Sequence, residues 1–243
     1  MSQSSAYVKS LIRRRYADLA AAPGAVADGC ARAINAGYSA ASIARAPDAL
    51  VRRWSGCGGL ADLVDLRGMR TVVDLGCGGG LDTWLIATGP SPPESTIAVD
   101  LTPEMLAALP RHGRANSGGH IWPVAGDMEQ LPLAEATCDL AIANASLNLA
   151  TNKPAVMAEA FRILRPGGRL FACELVREGG LPAELLADPM GHATSLGGVA
   201  GEAELIDLVT RAGFDEVEAR DHRPFPPVSA VNLSARKPVL SIR

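Results

Sequence analysis

The pattern of apolar and polar residues changes character near residue 69. Before it, apolar residues recur at the three- and four-residue spacing of helices, most clearly over 5–20. Beyond it, short apolar runs alternate with helical patterns, which is typical of βαβ units and a parallel sheet. Strands are predicted over 71–75, 96–100, 121–125, 138–143, 169–175 and 214–219, with helices over 81–88, 103–109, 153–164 and 202–212.

This alternation predicts an α/β fold, a Rossmann-like doubly wound and mostly parallel sheet preceded by a helical extension. We place an N-terminal helical cap over 1–68 and the core over 69–243. The stretch of about 178–201 is rich in glycine, proline and small residues, and we expect it to be a lid insertion. A chain of 243 residues is long enough for one such domain with appendages and too short for two comfortable ones.

Composition and charge narrow the function classes. The net charge is −3 and the only basic triplet lies at 13–15, which argues against nucleic acid as a partner. No apolar run reaches the roughly 18 residues of a membrane span, and the N-terminus lacks a signal-peptide core, so we expect a cytoplasmic protein without a membrane partner. The five cysteines form no C-x-x-C pair and the four histidines lack metal spacing, which predicts free thiols and no metal site. The oligomeric state is left open.

The segment from 71 to 87 carries the strongest chemical signal. A buried strand containing Asp74 runs into alternate glycines at Gly76, Gly78 and Gly80, and a helical pattern begins at Leu81. A strand, a glycine turn and a helix N-terminus form a seat where a ligand can contact bare backbone. A dinucleotide fingerprint, G-x-G-x-x-G, would need a glycine where Leu81 stands. A glycine-rich turn without a ligand is the alternative interpretation.

The spacing D-x-G-x-G-x-G resembles motif I of the class I methyltransferases, which use S-adenosylmethionine. In that family the loop wraps the amino-acid half of the cofactor, and the resemblance assigns this role to Asp74, Gly76, Cys77, Gly78 and Gly80. Asp100 lies at the carboxyl end of the second predicted strand, 26 residues after Asp74, where an acid can accept hydrogen bonds from both ribose hydroxyls. Capping of the next helix is the alternative role for Asp100.

Further residues continue the resemblance along the sheet. Leu101 and the residues after it follow the acid as they do in the family. Asp127, after the third strand, resembles the residue that hydrogen-bonds the adenine amino group, and Met128 would pack on the adenine face. Asn144 ends the fourth strand and completes the expected cofactor site.

A narrower resemblance, to the arsenite methyltransferases, covers about 35–220. It rests on the segments 38–50, 56–58, 144–149, 153–168 and 181–185. That family binds trivalent arsenic through three cysteine sulfurs. Here Cys57 matches the first position, Ala145 replaces the second, and the third aligns with Ser195 or, with a shifted register, Thr194.

Two of the three sulfurs are therefore missing, and we expect a methyltransferase that acts on a small organic molecule, with secondary metabolism as a candidate setting. Arsenite methylation with a reduced cysteine set, and a cofactor-binding protein with other chemistry or none, are the alternatives. Cys173 could offer a second sulfur near the crevice. The candidate catalytic residues are His192, Glu174 and Asn148, and the candidate substrate residues are Cys57, Ala145, Ser146 and Ser195.

Overall fold

The computed structural model describes residues 4–21, 29–109, 119–180, 188–194 and 196–239, without the side chains of Pro189 and His192. Leading helices precede an alternation of strands and helices, as the apolar pattern predicts. The helices are α1 (Ser5–Ala21), α2 (Gly29–Asn35), α3 (Ala40–Arg45), α4 (Asp48–Arg53), α5 (Leu60–Leu63), α6 (Leu81–Ala87), α7 (Pro103–Leu106), α8 (Lys153–Ile163), α9 (Pro189–Ala193) and α10 (Glu202–Arg211). The strands are β1 (Thr71–Leu75), β2 (Ser95–Asp100), β3 (His120–Ala125), β4 (Cys138–Asn144), β5 (Leu164–Val176), β6 (Asp215–Phe225) and β7 (Val228–Arg236).

The strands form one sheet in the order β3-β2-β1-β4-β5-β7-β6. The first five strands are parallel, whereas β7 runs antiparallel to both of its neighbours. The chain moves from β1 outward to β3 and then returns to place β4 on the other side of β1. Ligands of doubly wound sheets bind at such a switch point, beyond the carboxyl ends of the strands. The fold class is therefore the Rossmann-like one that the sequence predicts.

Apolar side chains cover both faces of the sheet. On one face, α8 and α10 bury residues such as Met157 and Val209 against the strands. On the other face, α5 packs on the sheet, and α2 to α4 bury residues such as Leu50 against Leu85 of α6. Residues before β1 thus pack on α6 and on the sheet, and they bring the segment 54–58 to the switch point.

Two features differ from the sequence prediction. Strand β5 begins at Leu164, directly after α8, rather than at residue 169; its pairing with β4 is irregular near Leu140. Gly167, with φ of 80°, lets the chain turn within this strand. The sequence also gave no indication of β7, which lies between β5 and β6 with small and polar residues along most of its length.

Candidate cofactor and substrate site

The glycine loop after β1 adopts a backbone that other residues would strain. Gly76, Gly78 and Gly80 have φ values of 73°, 53° and 84°. A Cβ atom at Gly76 would lie 2.6 Å from Cβ of Ser146, and one at Gly80 would lie 2.4 Å from a methyl carbon of Leu109. No described atom lies within 4 Å of the corresponding position at Gly78. The outer glycines therefore allow tight packing, while Gly78 keeps the loop backbone open to the cavity.

Asp100, at the end of β2, ties this loop to the next strand. Its carboxylate accepts hydrogen bonds from the backbone N–H of Gly78 and of Thr102, each at 2.8 Å. Burial raises the pKa of Asp100 and outweighs the two backbone hydrogen bonds, which act to lower it. A carboxylate has about four lone-pair directions, so two remain for a ligand. The bond to Thr102 shows that Asp100 also supports the start of α7.

Lys9 of helix α1 forms ion pairs with two carboxylates that follow the carboxyl end of β3. Lys9 Nζ lies 2.6 Å from an oxygen of Asp127 and 2.6 Å from an oxygen of Glu129. Burial acts to lower the pKa of Lys9, but the two carboxylates more than compensate and raise it. Asp127 thus lies in the cavity with both oxygens engaged, since its other oxygen accepts the Glu129 N–H at 2.9 Å. Sequence reasoning missed Lys9 and Glu129, since an ion pair spanning 118 residues leaves no local signal.

These elements line one cleft, of about 60 Å³, or about 670 Å³ when space open to solvent is included. Helix α1 covers it from one side, and the ends of β1, β2, β3 and β4 form the rest. Of the predicted residues, those that line this cleft are Gly76, Gly78, Asp100, Leu101, Asp127, Met128, Asn144, Ala145 and Ser146. The cleft is thus lined both by predicted cofactor residues at the ends of the strands and by two of the candidate substrate residues, Ala145 and Ser146.

A narrower recess around the glycine loop holds Asp74, Cys77 and Gly80. Asp74 accepts a hydrogen bond from the Thr83 hydroxyl at 2.6 Å, and burial, with a contribution from nearby Asp82, raises its pKa to about 8. Burial likewise raises the pKa of the Cys77 thiol well above its usual range. Two buried carboxyls beside a glycine loop make this recess a favourable place for a positively charged group.

Asp82 was missed by the sequence reasoning, although an acid in the first turn of the helix after the loop was available as a signal. It accepts hydrogen bonds from Tyr38 Oη at 2.5 Å, the Ala61 N–H at 3.0 Å and Asn144 Nδ2 at 2.9 Å. Burial raises the pKa of Asp82 to about 6, and these hydrogen bonds oppose the rise. Asp82 therefore joins the leading helices to the glycine loop and to β4.

Asn144 anchors the segment that carries Cys57. Its Oδ1 accepts from the N–H of Cys57 at 2.9 Å and of Gly58 at 3.3 Å, while its Nδ2 donates to the Gly58 carbonyl at 2.8 Å. A Cβ at Gly56 would lie 2.5 Å from the same Oδ1. The side chain predicted to contact cofactor thus also holds the cysteine loop against the cleft.

Two thiols lie close to the end of β4. Cys57 and Cys173 are both buried in one apolar cluster that includes Ala145. Burial raises the pKa of Cys57 well above its usual range and that of Cys173 to about 12. Ser195 lies outside the described residues, and the alternative position, Thr194, donates its hydroxyl to the Gly191 carbonyl at 2.7 Å. Cys57 and Cys173 are the thiols that the structure brings together beside the cleft.

The candidate catalytic residues are placed less directly. Glu174 is fully buried, and burial raises its pKa to about 8; one oxygen accepts the Asn148 N–H at 2.9 Å, and the other has no partner among the described residues. Asn148 donates to the Leu175 carbonyl at 2.8 Å. Neither residue lines the cleft or the recess. His192 belongs to α9, which packs against α1, but its side chain lies outside the described part of the chain. The catalytic roles of all three stay predictions.

Within the described ranges, we find no helix with both the length and the apolar character needed to cross a membrane. The same residues contain no group of three or more His, Cys, Asp or Glu side chains that could hold a metal ion.

Comparisons with known proteins agree with this geometry. A methyltransferase domain model matches residues 73–172. The arsenite methyltransferase of Halobacterium salinarum is 31% identical over 182 residues, 75% of this chain and 46% of the relative. That of Aquipseudomonas alcaligenes is 32% identical over 183 residues, 71% of this chain and 51% of the relative. The chain thus spans about half the length of these curated relatives.

Solved structures give the same fold. An arsenic(III) S-adenosylmethionine methyltransferase from Chlamydomonas reinhardtii superposes with a TM-score of 0.68 at 24% identity, covering 82% of this chain and 72% of that one. The [4+2]-cyclase SpnF superposes with a TM-score of 0.58 at 22% identity, covering 74% and 81%. The domain match and the curated relatives show that this chain is similar to methyltransferases, arsenite methyltransferases among them, and the solved structures show that it shares their Rossmann-like fold.

Proposed function

We propose that this chain transfers a methyl group from S-adenosylmethionine to a small organic molecule. The observation that carries the proposal is the cleft in which the glycine loop, Asp100 and Asp127 meet next to an alanine, Ala145. The glycine loop and the two acids support cofactor binding, whereas alanine at this position, where arsenite methyltransferases carry a cysteine, argues for a different acceptor. Cys57 alone keeps its sulfur among the positions that can be compared with that family.

The residues present fit the cofactor. The open space at Gly78 lets a ligand approach the loop backbone, and Asp100 keeps acceptor capacity beside it. Burial shifts the carboxyls of Asp74 and Asp82 toward their neutral forms, and a positive group of the cofactor in the recess would favour their ionisation and be stabilised by it. When bound, S-adenosylmethionine supplies an electrophilic methyl group on a sulfonium sulfur.

Because that methyl group is already reactive, the work of the protein is alignment and exclusion of water. Displacement requires the acceptor, methyl carbon and sulfur to lie in line, and such orientation contributes several kcal/mol to catalysis. Helix α1 covers the cleft through Ile12 and Tyr16, and Lys9 ties it to Asp127. The closure limits access of water to the cleft.

We assign removal of the acceptor's proton to His192. Its helix, α9, packs against the same α1 that covers the cleft, which puts this segment next to the cover of the cofactor cleft. Replacement His192→Gln is expected to slow turnover while leaving the affinity for S-adenosylhomocysteine unchanged. The pH–rate profile decides the role, since an unaltered profile in the variant would exclude His192 as the base.

Arsenite methylation is the second candidate, and one observation favours it. Cys57 and Cys173 lie in the same buried cluster, so two sulfurs are available beside the cleft although Cys173 does not match a cysteine of that family. Both thiols have raised pKa values because of burial, and As(III) binding would have to displace their protons.

The test measures S-adenosylhomocysteine formation with arsenite plus thiol and, separately, with small organic acids and phenols. We expect no arsenite-dependent product and turnover with at least one organic acceptor. Arsenite-dependent turnover that Cys57→Ser abolishes and Cys30→Ser preserves would overturn the proposal, because Cys30 is the exposed cysteine of α2. Cofactor binding without turnover on any acceptor would place the chain with proteins of this fold that do other chemistry.

A further inference from the structure

A second cavity, of about 480 Å³, borders the cofactor cleft. Ser55, in the segment 54–57, lines both of them. Trp54 and Gly56 line both the second cavity and the recess of the glycine loop. A volume of this size suits a small organic molecule. A ligand held here would lie beside the cleft that holds the methyl donor.

Two guanidinium groups line this cavity, Arg32 from α2 and Arg223 from β6. Neither has a carboxylate within ion-pair distance among the described residues. Arg32 donates to the Trp54 carbonyl and lies 5.8 Å from the centre of the Trp54 ring. Arg223 donates to Asn232 Oδ1 at 2.9 Å and to the Asp221 carbonyl at 3.2 Å. Neutral groups therefore orient both cations and leave their charge available to an anion.

Two buried donors in the same cavity wall lack partners. Nε1 of Trp54 and Nε of Arg223 are inaccessible to solvent and make no hydrogen bond within the described part of the chain. Trp54 as a whole is 7% exposed. An unpaired buried donor destabilises the folded protein, so such groups call for a functional explanation. An oxygen-bearing ligand in the cavity would supply acceptors where the protein supplies none.

The backbone next to Arg223 is irregular. The pairing of β6 with β7 shifts register between Arg220 and Arg223, and Asp221 adopts a left-handed φ of 56°. A bulge of this kind redirects side chains, and strained non-glycine residues cluster at ligand sites. Asn232 on β7 holds the bulge in place, since its amide group donates to the Asp221 carboxylate and accepts from the Arg223 guanidinium. The bulge places Arg223 in the cavity wall.

We propose that this cavity binds the methyl acceptor and that the acceptor is a small organic anion with an aromatic or apolar body. Arg32 and Arg223 hold its anionic group, while Trp54, Pro224 and Phe225 supply the apolar wall. The inference rests on the proposed methyltransferase function and adds the substrate class to it. Uncharged arsenite would gain nothing from two guanidinium groups, so the cavity also separates the two candidate acceptors.

Calorimetry on the full chain tests the proposal with benzoate as the probe and benzamide as its uncharged counterpart. Titrations are run with S-adenosylhomocysteine saturating the cleft, whose own binding is measured in the same preparation. The variants are Arg223→Gln, Arg223→Lys and Arg32→Gln, with Arg220→Gln as the matched control, because Arg220 is an exposed arginine on the same strand. The comparison of benzoate with benzamide needs no variant and therefore survives a folding defect in any of them.

We expect benzoate to bind wild type at least about tenfold more tightly than benzamide and to lose about tenfold or more in Arg32→Gln and Arg223→Gln. Arg223→Lys should lose part of this affinity, and Arg220→Gln none. Equal binding of the two probes, or unchanged benzoate affinity in both arginine-to-glutamine variants, would overturn the assignment. Failure of S-adenosylhomocysteine to bind would instead refute the proposed function.

Discussion

Replacement Asp100→Asn tests how the carboxylate at the end of β2 organises the cofactor cleft. In the wild type, its two oxygens accept the N–H groups of Gly78 and Thr102, each at 2.8 Å. Asparagine is almost the same size but offers one carbonyl oxygen and an amide group that donates. Whichever way the amide is turned, one of the two backbone donors faces another donor and loses its partner.

The magnitude follows from these two contacts. A hydrogen bond to a charged group contributes about 1.5–3 kcal/mol, and losing one of the two gives about 2 kcal/mol of lost stability. At roughly 2–4 °C per kcal/mol for a chain of this size, Tm should fall by about 4–8 °C. Losing the charged acceptor for the ribose hydroxyls should weaken cofactor binding by a similar amount, a Kd about 10- to 100-fold higher.

The assay combines S-adenosylhomocysteine calorimetry with thermal unfolding at pH 8, above the ordinary range of a carboxyl group. Asp48→Asn is the control, because Asp48 is an exposed residue paired with Arg52 on α4 and its loss should cost about 0.5 kcal/mol or less. An Asp100→Asn variant with wild-type Tm and Kd would refute the reasoning. A lower Tm with unchanged affinity would retain the loop contact and exclude Asp100 from cofactor binding.

Three further predictions concern substitutions of Gly78, Asp74 and Lys9. Gly78→Val should abolish S-adenosylhomocysteine binding in calorimetry, because the valine side chain would fill the cavity. Gly68→Val is the control, at a glycine with a similar φ and equally open space, and it should keep the binding. Equal loss of binding in both variants would show that backbone strain alone is responsible. Because burial raises the pKa of Asp74 to about 8, the folded protein holds a proton that the unfolded chain releases, so stability in urea should fall as pH rises from about 4 to 8. Asp74→Asn should make this slope shallower, with the remainder coming from other buried carboxyls such as Glu174, and an unchanged slope would contradict the assignment. Lys9→Met should cost about 1 kcal/mol in the same assay by leaving Asp127 and a second carboxylate without their cation, and no change would show that the contact is dispensable.

The fold was largely predictable because its signals are local. Apolar runs identify β1, β2 and β4, and the glycine spacing identifies the loop between β1 and α6. Strand β7 escaped because the segment 228–236 alternates small and polar residues with a few apolar ones, without the apolar runs that mark the other central strands. Its burial comes from the strands on either side, β5 and β6, which the sequence does not show together.

The residues of the candidate site fall into the same two groups, those with a local signal in the sequence and those without one. Gly78, Asp100 and Asp127 follow strand ends, where the sequence indicates function directly. Lys9 of α1 and Tyr38, which lies between α2 and α3, act on the site from the region before β1, with partners 118 and 44 residues away along the chain. No spacing rule links such residues, so the sequence could predict the cofactor residues but not the side chains that close the cleft over them.

The end of the crevice where the thiols lie also bears on the chemistry of the acceptor. Burial raises the pKa of both Cys57 and Cys173, and the nearby Arg223 lowers them only in part. The Cys173 thiol donates to Asn232 Oδ1 at 3.2 Å, the same oxygen that accepts from Arg223 at 2.9 Å. Ala145 adds no third sulfur to this group. A soft As(III) centre needs several thiolates, whereas a guanidinium beside two protonated thiols suits an anion. The missing sulfurs and the available arginine therefore favour the same conclusion, an organic anion as the methyl acceptor.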